Sequence, residues 1–165
     1  FPSDLSLKAL KQIPVGQGYN WTDGKILTHH GFALVEGYDI YLLEMLAKKR
    51  FGYFPRALHE PWVEIKEEGE FVVEKNLMIT YLSPIYFFVS KSNPRLAKRL
   101  KKGMNNIVES GRFDEFFKNH PITSEVLNKV HLEQRKVFEF TNPLITPKTK
   151  ALILDKRLWL DVNKM

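Results

Sequence analysis

Along the first seventy residues, apolar and polar positions fall into short blocks whose period changes every few residues. Ile13 to Val15 is a compact apolar run of strand length, closed by the loop Gly16-Gln17-Gly18-Tyr19-Asn20-Trp21. Thr22 and Asp23 are good caps for a helix through His30, which Gly31 stops. Phe32 to Val35 is a second strand, and Tyr38 to Lys49 a helix whose apolar stripe is Ile40, Leu43, Leu46 and Ala47. Tyr53 to Pro55 is a third short strand, and a helix near Glu60 to Glu67 tolerates Pro61 only in its first turn. Strand and helix alternate three times, the order of a small parallel sheet with crossover helices, so the expected class is α/β.

The pattern then changes. Phe71 to Val73 and Met78 to Leu82 read as a hairpin, and Ile85 to Lys91 is apolar enough for a central strand. Asn93-Pro94 sets a capping side chain ahead of proline at the first helical position. The helix it starts carries Leu96, Leu100, Met104, Ile107 and Val108 at helical spacing and ends at Gly111. Helices at Phe113 to Asn119 and Ser124 to about Gln134 follow, and the tail from Val137 to Met165 is apolar but irregular, broken by Pro143 and Pro147.

Composition narrows the classes. With 165 residues, 44% hydrophobic and 13% aromatic, the chain can bury a sizeable core and is unlike a disordered tail. With Cys 0 there is no disulfide framework, zinc-thiolate site or cysteine nucleophile. No run approaches the roughly 18 consecutive apolar residues of a membrane span. The net charge of +6 raises the question of nucleic acid. Much of it sits in Arg95, Lys98, Arg99, Lys101 and Lys102, on the solvent side of the amphipathic helix, with no aromatic interleaved for base stacking. A solvated flank, with no nucleic-acid partner, follows.

Two segments carry candidate binding chemistry. The loop Gly16 to Trp21 leads from a strand end into a helix N-terminus, where free amides favour an anion such as a carboxylate. Gly16 and Gly18 permit close backbone approach, and Tyr19 and Trp21 can wall a ligand; the alternative is a tight turn whose aromatics pack on a neighbour. Arg56 ends the third strand, beside that loop if the sheet is parallel, where it either pairs bidentately with the same carboxylate or is a surface arginine. Glu60 and Trp62 follow as a polar contact and a wall, or as a cap and a core ring.

Catalytic patterns are missing. His29-His30 are adjacent and cannot chelate as an i, i+4 pair, and His59-Glu60 lacks the second histidine of a zincin. The carboxylates Glu67-Glu68 stand in an acidic run without an apolar environment to raise a pKa, and no Gly-x-Ser-x-Gly occurs. A non-enzymatic binding role without cofactor or metal is the expectation.

Leu7-Lys8-Ala9-Leu10-Lys11 leading into Ile13-Pro14-Val15-Gly16-Gln17-Gly18, then Phe32-Ala33-Leu34-Val35-Glu36, then Arg50-Phe51-Gly52-Tyr53-Phe54-Pro55-Arg56, resembles the second lobe of a type 2 periplasmic solute-binding protein. Ile85-Tyr86-Phe87-Phe88-Val89-Ser90-Lys91-Ser92-Asn93-Pro94 and Glu109-Ser110-Gly111-Arg112-Phe113-Asp114-Glu115-Phe116-Phe117 resemble the returning strand and last two helices of the amino-acid-binding branch. The resemblance covers about residues 5 to 120. It implies two α/β lobes closing on a solute, with residues 5–91 as lobe two and 92–165 as the C-terminal part of lobe one with an irregular tail. Half of lobe one would precede Phe1, so a processed or truncated C-terminal fragment is expected, with exposed apolar stripes that favour self-association.

The same resemblance places Gly18, Tyr19, Asn20, Trp21, Thr22 and Arg56 on the ligand face. Ala57 stands where family members carry an acid for an α-amino group, and Gly52 where aspartate is frequent, which favours a carboxylate or other anionic solute over an amino acid. The implied role is periplasmic capture of a small solute for ABC-type transport, with a membrane permease as partner. The alternative is a sensory domain of a membrane receptor carrying a kinase or cyclase.

Overall fold

The computed structural model describes residues 1–65 and 69–159. In chain order the elements are α1 (Leu7–Gln12), β1 (Val15–Gly18), α2 (Thr22–His29), β2 (Leu34–Gly37), α3 (Leu42–Ala47), α4 (Pro61–Glu64), β3 (Leu77–Tyr81), α5 (Pro94–Glu109), α6 (Arg112–Asn119), α7 (Pro121–Val130), β4 (Lys136–Phe140) and α8 (Pro147–Ile153). The fold is mixed α/β, the class that the alternating pattern implies, with two parallel strand pairs. The chain forms two bodies, residues 1–81 with 130–145, and residues 82–129 with 146–165. This differs from a division at residue 91: residues 82–91 join the second body, and 130–145 return to the first.

In the first body, β1 pairs in parallel with β2 from Val15↔Leu34 to Gly18↔Gly37. A parallel bridge Val15↔Tyr53 adds the third expected strand as one rung, with Gly16 N donating to Tyr53 O at 2.9 Å and Gly52 N to Pro14 O at 2.8 Å. Thus β1 is central. Val15 and Gln17 share one face of it, where Gly24 of α2 comes close to Gln17 and Leu34. Gly16 and Gly18 lie on the other face, and added Cβ atoms there would overlap the Phe51 and Trp21 rings. The two glycines therefore let aromatic rings press against the strand, which is why β1 runs through a segment that reads as a loop.

Leu10, Val15, Leu27, Phe32 and Leu77 form the core of this body, with Ile79, Phe138 and Phe140 of β3 and β4 packed against it. Ser6 caps α1 by accepting from Ala9 N at 3.1 Å, and Gly31 at φ +78° ends α2, as its position predicts.

Four local expectations change. Residues 77–81 form a strand, but its partner is β4 in parallel, from Leu77↔Lys136 to Tyr81↔Phe140, in place of a local hairpin. The expected irregular tail accordingly begins with a strand, whose Phe138 and Phe140 pack on the core while Lys136 and Glu139 are exposed. The helix expected at 38–49 starts as a 3-10 turn, Asp39–Tyr41, which turns Ile40 to solvent and buries Leu42 instead. Ile85 to Lys91 is no strand.

The second body opens with that segment. Its helix α5 starts as the sequence directs, with Asn93 Oδ1 accepting from Leu96 N at 3.1 Å and Pro94 in the first turn. Gly111 adopts φ +73° between α5 and α6, a left-handed turn suited to glycine. Among the described residues, no helix is long and apolar enough to cross a membrane.

Candidate functional site

All of the sequence-predicted binding residues lie in the first body, at the C-terminal end of β1 and after Tyr53. In a parallel sheet both positions face the same edge, so the loop into α2 and Arg56 are neighbours. The loop is fixed by its backbone: Tyr19 N donates to Gly37 O at 3.0 Å and Trp21 N to Gly18 O at 3.1 Å. Asn20 takes a left-handed conformation at φ +62°, which asparagine accepts more readily than most residues.

This geometry sorts the predicted residues. Gly18 is buried beneath the Trp21 indole, so the close approach it permits is taken by a side chain of the same loop. Tyr19 is exposed and meets Tyr38 edge-on at 5.0 Å between ring centres. Asn20 and Thr22 are exposed. Trp21 precedes α2 and offers no oxygen to cap it, so the first-turn amides are left to solvent or a ligand.

Trp21 and Arg56 meet. The Arg56 guanidinium carbon lies 5.0 Å from the Trp21 ring centre and 5.0 Å from that of Phe54, and the two rings are themselves stacked at 6.4 Å. Glu64 of α4 grips Arg56 through both carboxylate oxygens, with Nε donating to Oε2 at 2.9 Å and Nη2 to Oε1. Glu60 Oε1 adds an ion pair to Nη2 at 3.2 Å. Burial acts against the charge, but the Glu64 hydrogen bond and the charges of Glu60, Glu64 and Asp39 outweigh it and raise the Arg56 pKa. The Nη1 nitrogen has no hydrogen-bond acceptor among the described residues.

Sequence reasoning missed most of this surround. Glu60, expected as a polar contact or a cap, makes both kinds of contact, whereas Glu64, eight residues after Arg56 and one turn beyond Glu60, is not among the expected residues. Asp39 and Tyr38 arrive from the end of β2, and Tyr81 from the end of β3, where its hydroxyl donates to Asp23 Oδ1 at 2.5 Å. Burial first, then Asp23, pushes the Tyr81 hydroxyl above the ordinary tyrosine range. Gln17, 1% exposed, donates through Nε2 to Pro55 O at 3.0 Å, whereas its Oε1 has no partner among the described residues.

The remaining candidates stay apart. His29 and His30 meet edge-on at 5.0 Å, and His30 Nε2 donates to Thr141 O at 2.7 Å. Glu67-Glu68 lie outside the described residues. No group of three or more His, Asp or Glu side chains placed to hold a metal occurs among the described residues. Comparison with protein-family models, curated proteins and solved structures gave no match.

Proposed function

We propose that the chain is part of an extracytoplasmic, periplasmic solute-binding protein, and that the sheet edge carrying Trp21 and Arg56 is its solute-facing surface. The observation that carries this reading is Arg56 itself. Glu64 fixes its Nε and Nη2 edge, the Trp21 and Phe54 rings lie against it, and Nη1 remains unpaired among the described residues. An arginine held in this way is oriented before a carboxylate arrives, so less side-chain freedom is lost on binding. The uncapped first turn of α2, next to Trp21, is a second place for the same carboxylate.

The surround refines the solute. Glu60, Glu64 and Asp39 act on a single guanidinium, so a purely anionic solute meets net repulsion. A small solute bearing a cationic group beside its carboxylate suits both the guanidinium and the acids. The acid that Ala57 does not provide is supplied by Glu60 and Asp39 from other positions. The test is a thermal-shift screen of zwitterionic amino acids, dicarboxylates, small anions and neutral sugars. Stabilisation by zwitterions above dicarboxylates supports this reading, and stabilisation by sugars alone overturns it.

A further inference from the structure

The second body contains a segment whose hydrogen bonding is unfinished. Residues 83–89 adopt neither helix nor strand, and none of their backbone amides or carbonyls has a partner among the described residues. Their side chains are nonetheless those of a buried strand. Ile85, Phe87 and Phe88 are 96%, 73% and 93% exposed. Neighbouring positions of a strand point to opposite faces, so Phe87 and Phe88 would make both faces apolar, the mark of a strand flanked on each edge and covered above and below.

The next element repeats the message. α5 begins at once after this segment, yet none of its residues is buried, and Leu96 and Ile107 of its apolar stripe stand open. A helix that follows a strand normally lays its stripe on the sheet containing that strand. One kind of occupant answers both deficits, a β-strand beside residues 85–89, because it bonds the free backbone edge and widens the surface beneath α5. A lipid surface would cover the side chains but leave the amides without acceptors. Charge selects further: Lys and Arg outnumber Asp and Glu by 13 to 5 in residues 82–129 and 146–159. A second copy would bring the same excess of cations, whereas an acidic segment is drawn in.

We propose that residues 85–89 are a strand-addition site for an extended apolar polypeptide segment with acidic flanks, which pairs along the backbone and covers the stripe of α5. This site is independent of the solute surface of the first body. It is tested on the full chain with three synthetic peptides, EETVIVTVEE, its lysine-flanked form KKTVIVTVKK and its proline-interrupted form EETVPVTVEE. Fluorescence titration reads affinity, and hydrogen exchange reads the amides of residues 85–89.

The glutamate-flanked peptide should bind and slow exchange at those amides by about tenfold or more. The lysine form should bind at least about tenfold more weakly, and the proline form should fail, since it lacks a ladder donor. Phe88→Lys, at a position exposed in the free chain, should keep the melting midpoint and weaken the first peptide about tenfold. Equal binding of all three peptides, no binding, or protection elsewhere overturns the proposal. A sedimenting dimer already protected at residues 85–89 assigns the site to a second copy and overturns the choice of occupant, as does binding to phosphatidylglycerol vesicles with the peptides inert.

Discussion

The Arg56 guanidinium lies over the Trp21 ring at 5.0 Å while Glu64 holds it through two hydrogen bonds. The pair joins the first loop of the sheet to the short helix α4, so Arg56 has a structural role whatever it binds. Loss of its side chain therefore removes contacts of the fold as well as a candidate ligand group. Arg56→Lys keeps the charge but loses the fork and its contact with the Trp21 ring, and should destabilise the chain by about 1–2 kcal/mol in urea unfolding. An unchanged midpoint would mean that the Glu64 contact contributes nothing.

Gly18 carries a second prediction. A Cβ there would overlap the Trp21 indole, which would have to lift from the strand. Gly18→Ala should cost about 1–3 kcal/mol of stability. Because Trp21 flanks Arg56, the variant should also shift the tryptophan emission, and a native spectrum with native stability would contradict the packing described.

Tyr81 and Asp23 give a pH dependence. The folded Tyr81 hydroxyl has its pKa raised, by burial first and by Asp23 second. The fold therefore favours the protonated form. Its contribution is whole below about pH 10, where unfolded tyrosine also keeps its proton, and is lost as pH rises from there toward the higher folded value. Tyr81→Phe should lose about 1 kcal/mol near neutrality and decline less steeply above pH 10 than the parent chain. Identical alkaline slopes in chemical denaturation would count against the Tyr81 to Asp23 bond.

Much of the first body is legible in the sequence because its signals are local. The runs at Ile13 and Phe32 mark real strands displaced by about two residues, the run at Tyr53 marks a real bridge, and Gly31 marks a real helix end, as Asn93-Pro94 does in the second body. What local pattern cannot carry is pairing at a distance. β4 alternates in Phe138, Glu139 and Phe140, yet only contact with β3, some sixty residues earlier by the register Tyr81↔Phe140, makes it a strand. Ile85 to Val89 is the converse, a strong strand pattern that forms none without a partner. At the site, Trp21 and Arg56 were adjacent as the parallel order implies, but Glu64, Asp39 and Tyr81 converge only in three dimensions.

The most direct measurement is a calorimetric titration of the parent chain and of Arg56→Lys with the solute that stabilises the protein most. With Arg56 as the carboxylate anchor, the lysine variant binds at least about tenfold more weakly, because a point charge replaces a fixed fork. Equal affinity of the two proteins, both folded at the temperature of the titration, would contradict the assignment of this sheet edge as the solute-binding surface.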